Sequence, residues 1–86
     1  MKKIQTTRPF DEDYNALPES IKDRADKQFV LLLENPYHPS LGIKKIKGHP
    51  NIWEGRVTKN YRFTFQISGE IYILRRIGTH DILKTL

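Results

Sequence analysis

The chain reads as an α+β fold with its helices first and a strand meander after them, and three observations carry that reading. Apolar residues recur at helical spacing between Ile21 and Leu33. They alternate with polar residues between Ile52 and Ile67, the period of a half-buried strand. Gly, Pro and Asn cluster at the junctions between these stretches. The order of elements is β-α-α-β-β-β, with two N-terminal helices packed on one face of a small, mainly antiparallel sheet. Residues 1–86 make a single domain, near the size where one core is only just sufficient.

Residues 2–7 allow a short opening strand, which Pro9 ends. Residues 11–17 are expected to form a short helix, with Phe10, Tyr14 and Leu17 on one side and Asp11 to Asp13 at its electropositive start. Pro18 is well placed for the first turn of a second helix running to about Glu34. Ile21, Ala25, Phe29, Leu32 and Leu33 form its apolar stripe. Val30 and Leu31 fall off that stripe, so either flanking loops cover them or they form a docking surface. Asn35-Pro36 stops the helix, residues 36–42 (PYHPSLG) are a turn-rich connection, and IKKIKG at 43–48 puts three lysines into four positions.

The hairpin at 52–66, IWEGRVTKNYRFTFQ, is the most informative stretch. With Thr58-Lys59-Asn60 as a three-residue loop, Val57 faces Tyr61 and Trp53 faces Phe65. On the opposite face the same register sets Arg56 against Arg62 and Glu54 against Thr64. Like charges directly opposite one another destabilise a sheet, so either Glu54 relieves the repulsion or the two arginines hold an anion, with phosphate the natural choice. Ser68-Gly69 marks a second turn before a strand at 71–77. Both faces of that strand are partly apolar, and its period does not show which is buried.

The chain has no cysteine, which excludes disulfides and thiolate metal sites and suits a reducing cytosol. The start, Met1-Lys2-Lys3, is followed by polar residues, so no signal peptide is expected, and no apolar run is long enough to span a bilayer. Residues 10–35 hold seven acids and three bases, whereas residues 36–86 hold nine bases and three acids. A basic half is the electrostatic footprint of a nucleic-acid binder, although a merely soluble basic surface has the same composition. The histidines at 38, 49 and 80 lack the spacing of a zinc site, and neither a P-loop nor a GxGxxG run is present.

The order of elements, NPYHPSL, KKIKG, IWEGRV…YRFTF and the closing IGTHDIL together resemble the RelE/ParE superfamily of type II toxin–antitoxin toxins, over residues 10–83. The resemblance implies the RelE-like fold and a cytoplasmic toxin neutralised by a cognate antitoxin protein. In the RelE-like branches it implies a ribosome-dependent endoribonuclease that cleaves mRNA, with no metal or organic cofactor. In the ParE branch the same fold poisons DNA gyrase, and a catalytically silent module of this fold is a third reading.

RNA cleavage without a metal needs a base for the 2′-OH, cations for the pentavalent phosphate and an acid for the departing 5′-oxygen. Histidine is the natural proton carrier near neutral pH. The resemblance assigns a catalytic role to the position of His80, just after the last strand, and phosphate contact to Arg62 in the "YR" strand. It matches Lys44, Lys45 and Lys47 to a basic segment that approaches the RNA backbone. Arg56 lies across from Arg62 by register. Glu54 is expected to orient His80 or an arginine, or to act as the base. His49 is a second candidate, and His38 reads as a loop residue. Several RelE-like nucleases carry an aromatic shortly after the closing Gly-X-His or Gly-X-Arg segment; here residues 82–86, ILKTL, have none.

Overall fold

The computed structural model describes residues 2–86. Strand β1 (Lys3–Thr6) leads into helices α1 (Arg8–Asn15) and α2 (Glu19–Glu34), and strands β2 (Lys44–Lys45), β3 (Trp53–Arg56), β4 (Tyr61–Ser68) and β5 (Ile71–Thr79) follow. The strands form one sheet in the order β1-β5-β4-β3-β2, with β1 parallel to β5 and every other pairing antiparallel. Short 3₁₀ helices lie at Pro39–Leu41 and at the C-terminal His80–Lys84.

The expected α+β order stands, with two differences in detail. The basic segment contributes a strand of its own, β2, too short for any periodicity to reveal. Helix α1 begins at Arg8 rather than at residue 11, because Thr7 caps it and Pro9 occupies its first turn. The Thr7 hydroxyl accepts from the Phe10 N–H at 3.3 Å and donates to the Arg75 carbonyl at 3.0 Å. One residue thus starts the helix and ties it to β5.

Helix α2 buries Ala25 and Leu32 completely. Its stripe runs through Ile21, Ala25, Gln28 and Leu32, and Leu31 packs against the core while Leu33 stands 40% exposed and Val30 55% exposed. Leu33 therefore leaves the expected stripe and Leu31 joins the packed side. Gln28 earns its inward place through its amide, which donates to the Arg56 carbonyl at 2.9 Å and the Ser40 carbonyl at 3.2 Å. It fastens the helix to the end of β3.

Between helices and sheet runs an unbroken chain of rings. Phe10 meets Tyr14 at 6.3 Å and Phe29 at 5.8 Å, Phe29 meets Phe63 edge-on at 5.1 Å, Phe63 meets Phe65 at 5.5 Å, and Phe65 meets Tyr72 edge-on at 5.8 Å. Each such pair adds about 0.5–1.5 kcal/mol beyond the area it buries. Phe63 lies over Gly55, the only residue type that leaves space for it: a Cβ on Gly55 would sit 2.4 Å from the ring's Cζ.

Strand β5 carries a bulge. Thr64 pairs with Arg76 but Phe65 pairs with Leu74, so Arg75 is the extra residue. The bulge shifts the phase of the strand and lets Tyr72, Leu74 and Ile77 all reach the core. This is why neither face of 71–77 looks consistently apolar.

At the end of the ring chain the Tyr14 hydroxyl donates to Asp26 Oδ1 at 2.7 Å. That hydrogen bond first, then burial and the Asp26 charge, push the phenol up to about 12 from its ordinary 10.0. The folded pKa is the higher one, so the contribution to stability is complete below pH 10.0 and is lost as pH rises through about 12. Denaturation measured across that window should show the stability advantage over Tyr14→Phe shrinking. A constant difference would mean that the hydrogen bond is not held in solution.

Candidate active site

The sheet face turned away from the helices carries two rows of side chains. Partnered residues on antiparallel strands point to the same side, so Lys44, Glu54, Thr64 and Arg76 form one row across β2 to β5. Arg56, Arg62 and Gly78 form the next. The register expected from the hairpin is the observed one. His80 follows Gly78 by two residues and opens the C-terminal 3₁₀ helix, where it is exposed.

The two arginines differ in their surroundings. Arg62 is half-buried, and its Nη1 donates to the Thr58 carbonyl at 2.8 Å, closing the β3–β4 loop. Arg56 is exposed and lies alongside Gly42, where a Cβ would come within 3.7 Å of its guanidinium. Among the described residues neither arginine makes an ion pair. Glu54 instead pairs with Lys44, Oε1 to Nζ 3.2 Å, with the carboxylate nearly buried and the ammonium exposed. Glu54 is therefore paired with Lys44 and with neither arginine.

The basic segment divides between two faces, as strand parity requires. Lys44 stands with Glu54, whereas Lys45 lies over the Trp53 ring at 5.6 Å on the helix side. There a groove of about 600 Å³ opens past the end of the helical layer. Trp53, Phe65, Ile67 and Tyr72 line it together with Tyr37, which is 92% exposed. Lys2 lines it as well and lies over the Tyr72 ring at 5.5 Å. Trp53 is thus half-buried in a groove rather than sealed in the core, and nothing in its period distinguishes those two states.

Lys47 and His49 are exposed in the 46–52 loop, whose turns close through His49 N–H to the Ile46 carbonyl and Ile52 N–H to the His49 carbonyl, each 3.1 Å. His38 caps the Pro39–Leu41 turn, its Nδ1 accepting from the Ser40 N–H at 3.1 Å. Among the described residues no group of three or more His, Asp or Glu could hold a metal ion, and no helix is long and apolar enough to cross a membrane.

The C-terminal 3₁₀ helix folds over this face. Ile82 is buried against Gly78, where a Cβ would meet its Cγ2 at 2.9 Å. Beneath it Thr64 is fully buried, and its hydroxyl has no hydrogen-bond partner among the described residues.

No protein-family model matches the sequence, and no curated protein is significantly similar to it. Solved structures are similar over nearly the whole chain. The E. coli DinJ-YafQ toxin–antitoxin complex superposes with a TM-score of 0.79 at 15% identity, covering 95% of this chain and 96% of that one. The RelB-RelE antitoxin–toxin complex from Methanococcus jannaschii gives 0.76 at 24% identity, covering 93% and 94%. The fold is that of the RelE/ParE toxins. A YoeB/ParE toxin from Agrobacterium tumefaciens gives 0.75 at 19% identity, covering 93% and 99%.

Within this RelE-like fold, sequence reasoning missed the arginine of β5. Arg76 donates through Nε to Asp13 Oδ2 at 2.6 Å and through Nη1 to Thr85 Oγ1 at 2.8 Å. The hydrogen bond to the Asp13 carboxylate pushes the guanidinium pKa up, against the opposing effect of burial. The signal was the doublet Arg75-Arg76 ahead of Gly78-Thr79-His80, which only the bulge makes interpretable.

Proposed function

We propose that this chain is a toxin of a type II toxin–antitoxin pair and cleaves mRNA on the ribosome as a metal-independent endoribonuclease. One observation carries the reading: among the described residues Arg56 and Arg62 share a row without a carboxylate ion-pair partner, next to a strand end that bears an exposed histidine. In the proposed reaction the 2′-oxygen attacks the phosphorus and the bond to the 5′-oxygen breaks. His80 donates the proton to that leaving oxygen. Arg62 and Arg56 neutralise the charge gathered on the phosphate. Glu54 is the carboxylate of this face. An RNA phosphate that draws Lys44 away frees it to take the 2′-OH proton. Lys44 and Lys47 serve the RNA backbone.

Two of the similar structures are toxins bound to antitoxins, which supports a cognate antitoxin as the partner here, in the cytoplasm. The groove beside Tyr37 suits an antitoxin segment that brings apolar side chains flanked by carboxylates, since Lys2 and Lys45 lie over its rings. In vitro translation with toe-printing tests the activity. Cuts in mRNA at the ribosome are the expected result. Intact mRNA together with gyrase-linked DNA breaks would replace the nuclease reading with a ParE-like one, a gyrase poison that acts by protein contact.

A further inference from the structure

The C-terminal 3₁₀ helix cannot hold itself. It has five residues, and no side chain caps its start. Helices this short are not stable alone. The Lys84–Asp81 pair, at 3.6 Å with both side chains about four-fifths exposed, contributes little. Tertiary contacts pin the segment instead, Ile82 packing on Gly78 over β4 and β5 and Thr85 bonding to Arg76.

Arg76 is built for that task. Its Nε and Nη2 form a two-point contact with Asp13, at 2.6 and 3.2 Å, and the same Asp13 Oδ2 accepts the Ile77 N–H at 3.2 Å. The planar fork is thereby fixed in direction, which leaves Nη1 aimed at Thr85. A lysine, with a single flexible ammonium, does not offer both contacts in fixed geometry. Asp13 reaches this position because α1 runs beside β5 beyond the end of β1. The bulge at Arg75 places the arginine to meet it.

We propose that Arg76, oriented by Asp13, is a positioning residue for His80: through Thr85 it holds the C-terminal turn that keeps the imidazole at the end of β5. The functional half of this inference rests on the nuclease reading; the ordering of the turn does not. Thr85 is exposed and lies outside the core, so its substitutions spare the fold.

The test uses the full chain with Thr85→Val, which keeps the shape and removes the hydroxyl, and Thr85→Ser, which restores it. NMR order parameters of residues 80–85 report the turn, and single-turnover cleavage of ribosome-bound mRNA at saturating protein reports His80. Thr85→Val is expected to lower the order parameters to the flexible range, below about 0.6. It should slow cleavage about tenfold, the effect of losing one hydrogen bond to a charged group, with half-saturation unchanged. Thr85→Ser should recover both. An ordered turn in Thr85→Val, or a loosened turn with the wild-type rate, overturns the proposal. If the wild-type chain leaves ribosome-bound mRNA intact, the nuclease reading fails, and the order parameters alone then decide whether the Thr85 hydroxyl, which accepts from Arg76 and donates to the Ile82 carbonyl at 3.5 Å, holds the turn.

Discussion

His80→Ala is expected to slow cleavage of ribosome-bound mRNA by roughly 10²–10⁴-fold, the range for loss of a general acid or base. The exposed imidazole makes no hydrogen bond that folding needs, so thermal stability should stay at the wild-type value. Arg62→Ala should cost a similar factor, about 3–4 kcal/mol of transition-state stabilisation. It should also lower stability by about 0.5–1.5 kcal/mol, because its hydrogen bond to the Thr58 carbonyl is lost. The double variant should be little worse than either single one, since groups acting on one transition state behave as a unit. Single-turnover rates beside melting curves separate the two effects. A His80→Ala protein that cuts at the wild-type rate would move the chemistry to Glu54 and His49.

Phe63→Ala is expected to cost about 3–5 kcal/mol, a large part of the stability that a chain of this size commands. Phe63 is fully buried and joins the helical rings to the sheet rings through Phe29 and Phe65. Gly55→Ala should cost about 1–3 kcal/mol by overpacking, because its methyl would occupy space held by the Phe63 ring. With Phe63 already alanine, the second substitution has room and should cost little. Urea denaturation of the two single variants and the double one measures this coupling. Additive losses would show that the ring does not rest on Gly55.

Much of this arrangement can be read from residue order, for identifiable reasons. The pairing of Arg56 with Arg62 and Glu54 with Thr64 follows from a three-residue loop and a buried face. A one-residue slip would turn Phe63 and Phe65 out to water. The split of Lys44 from Lys45 follows from strand parity once β2 is known, but two residues are too few to announce a strand. The burial of β5 is illegible because a bulge changes its phase midway. The link from Asp13 to Arg76 to Thr85 spans most of the chain, and local pattern carries no information on such a contact. Glu54 illustrates a different limit. Its position was predictable, but its choice of Lys44 over the arginines depended on the strand that periodicity could not reveal.

The parallel pairing of β1 with β5 has a consequence for synthesis. Lys3 to Thr6 align with Ile71 to Leu74, so β1 has no sheet neighbour until β5 has been made. At about 5–20 residues per second, a nascent chain spends several seconds with its opening segment unpaired. The β3–β4 hairpin closes locally in that time, and the long-range closure onto β5 comes last. The Asp13–Arg76 contact has to wait for the same final stretch. The sheet therefore stays incomplete until β5 is made, and its closure joins segments separated by most of the sequence.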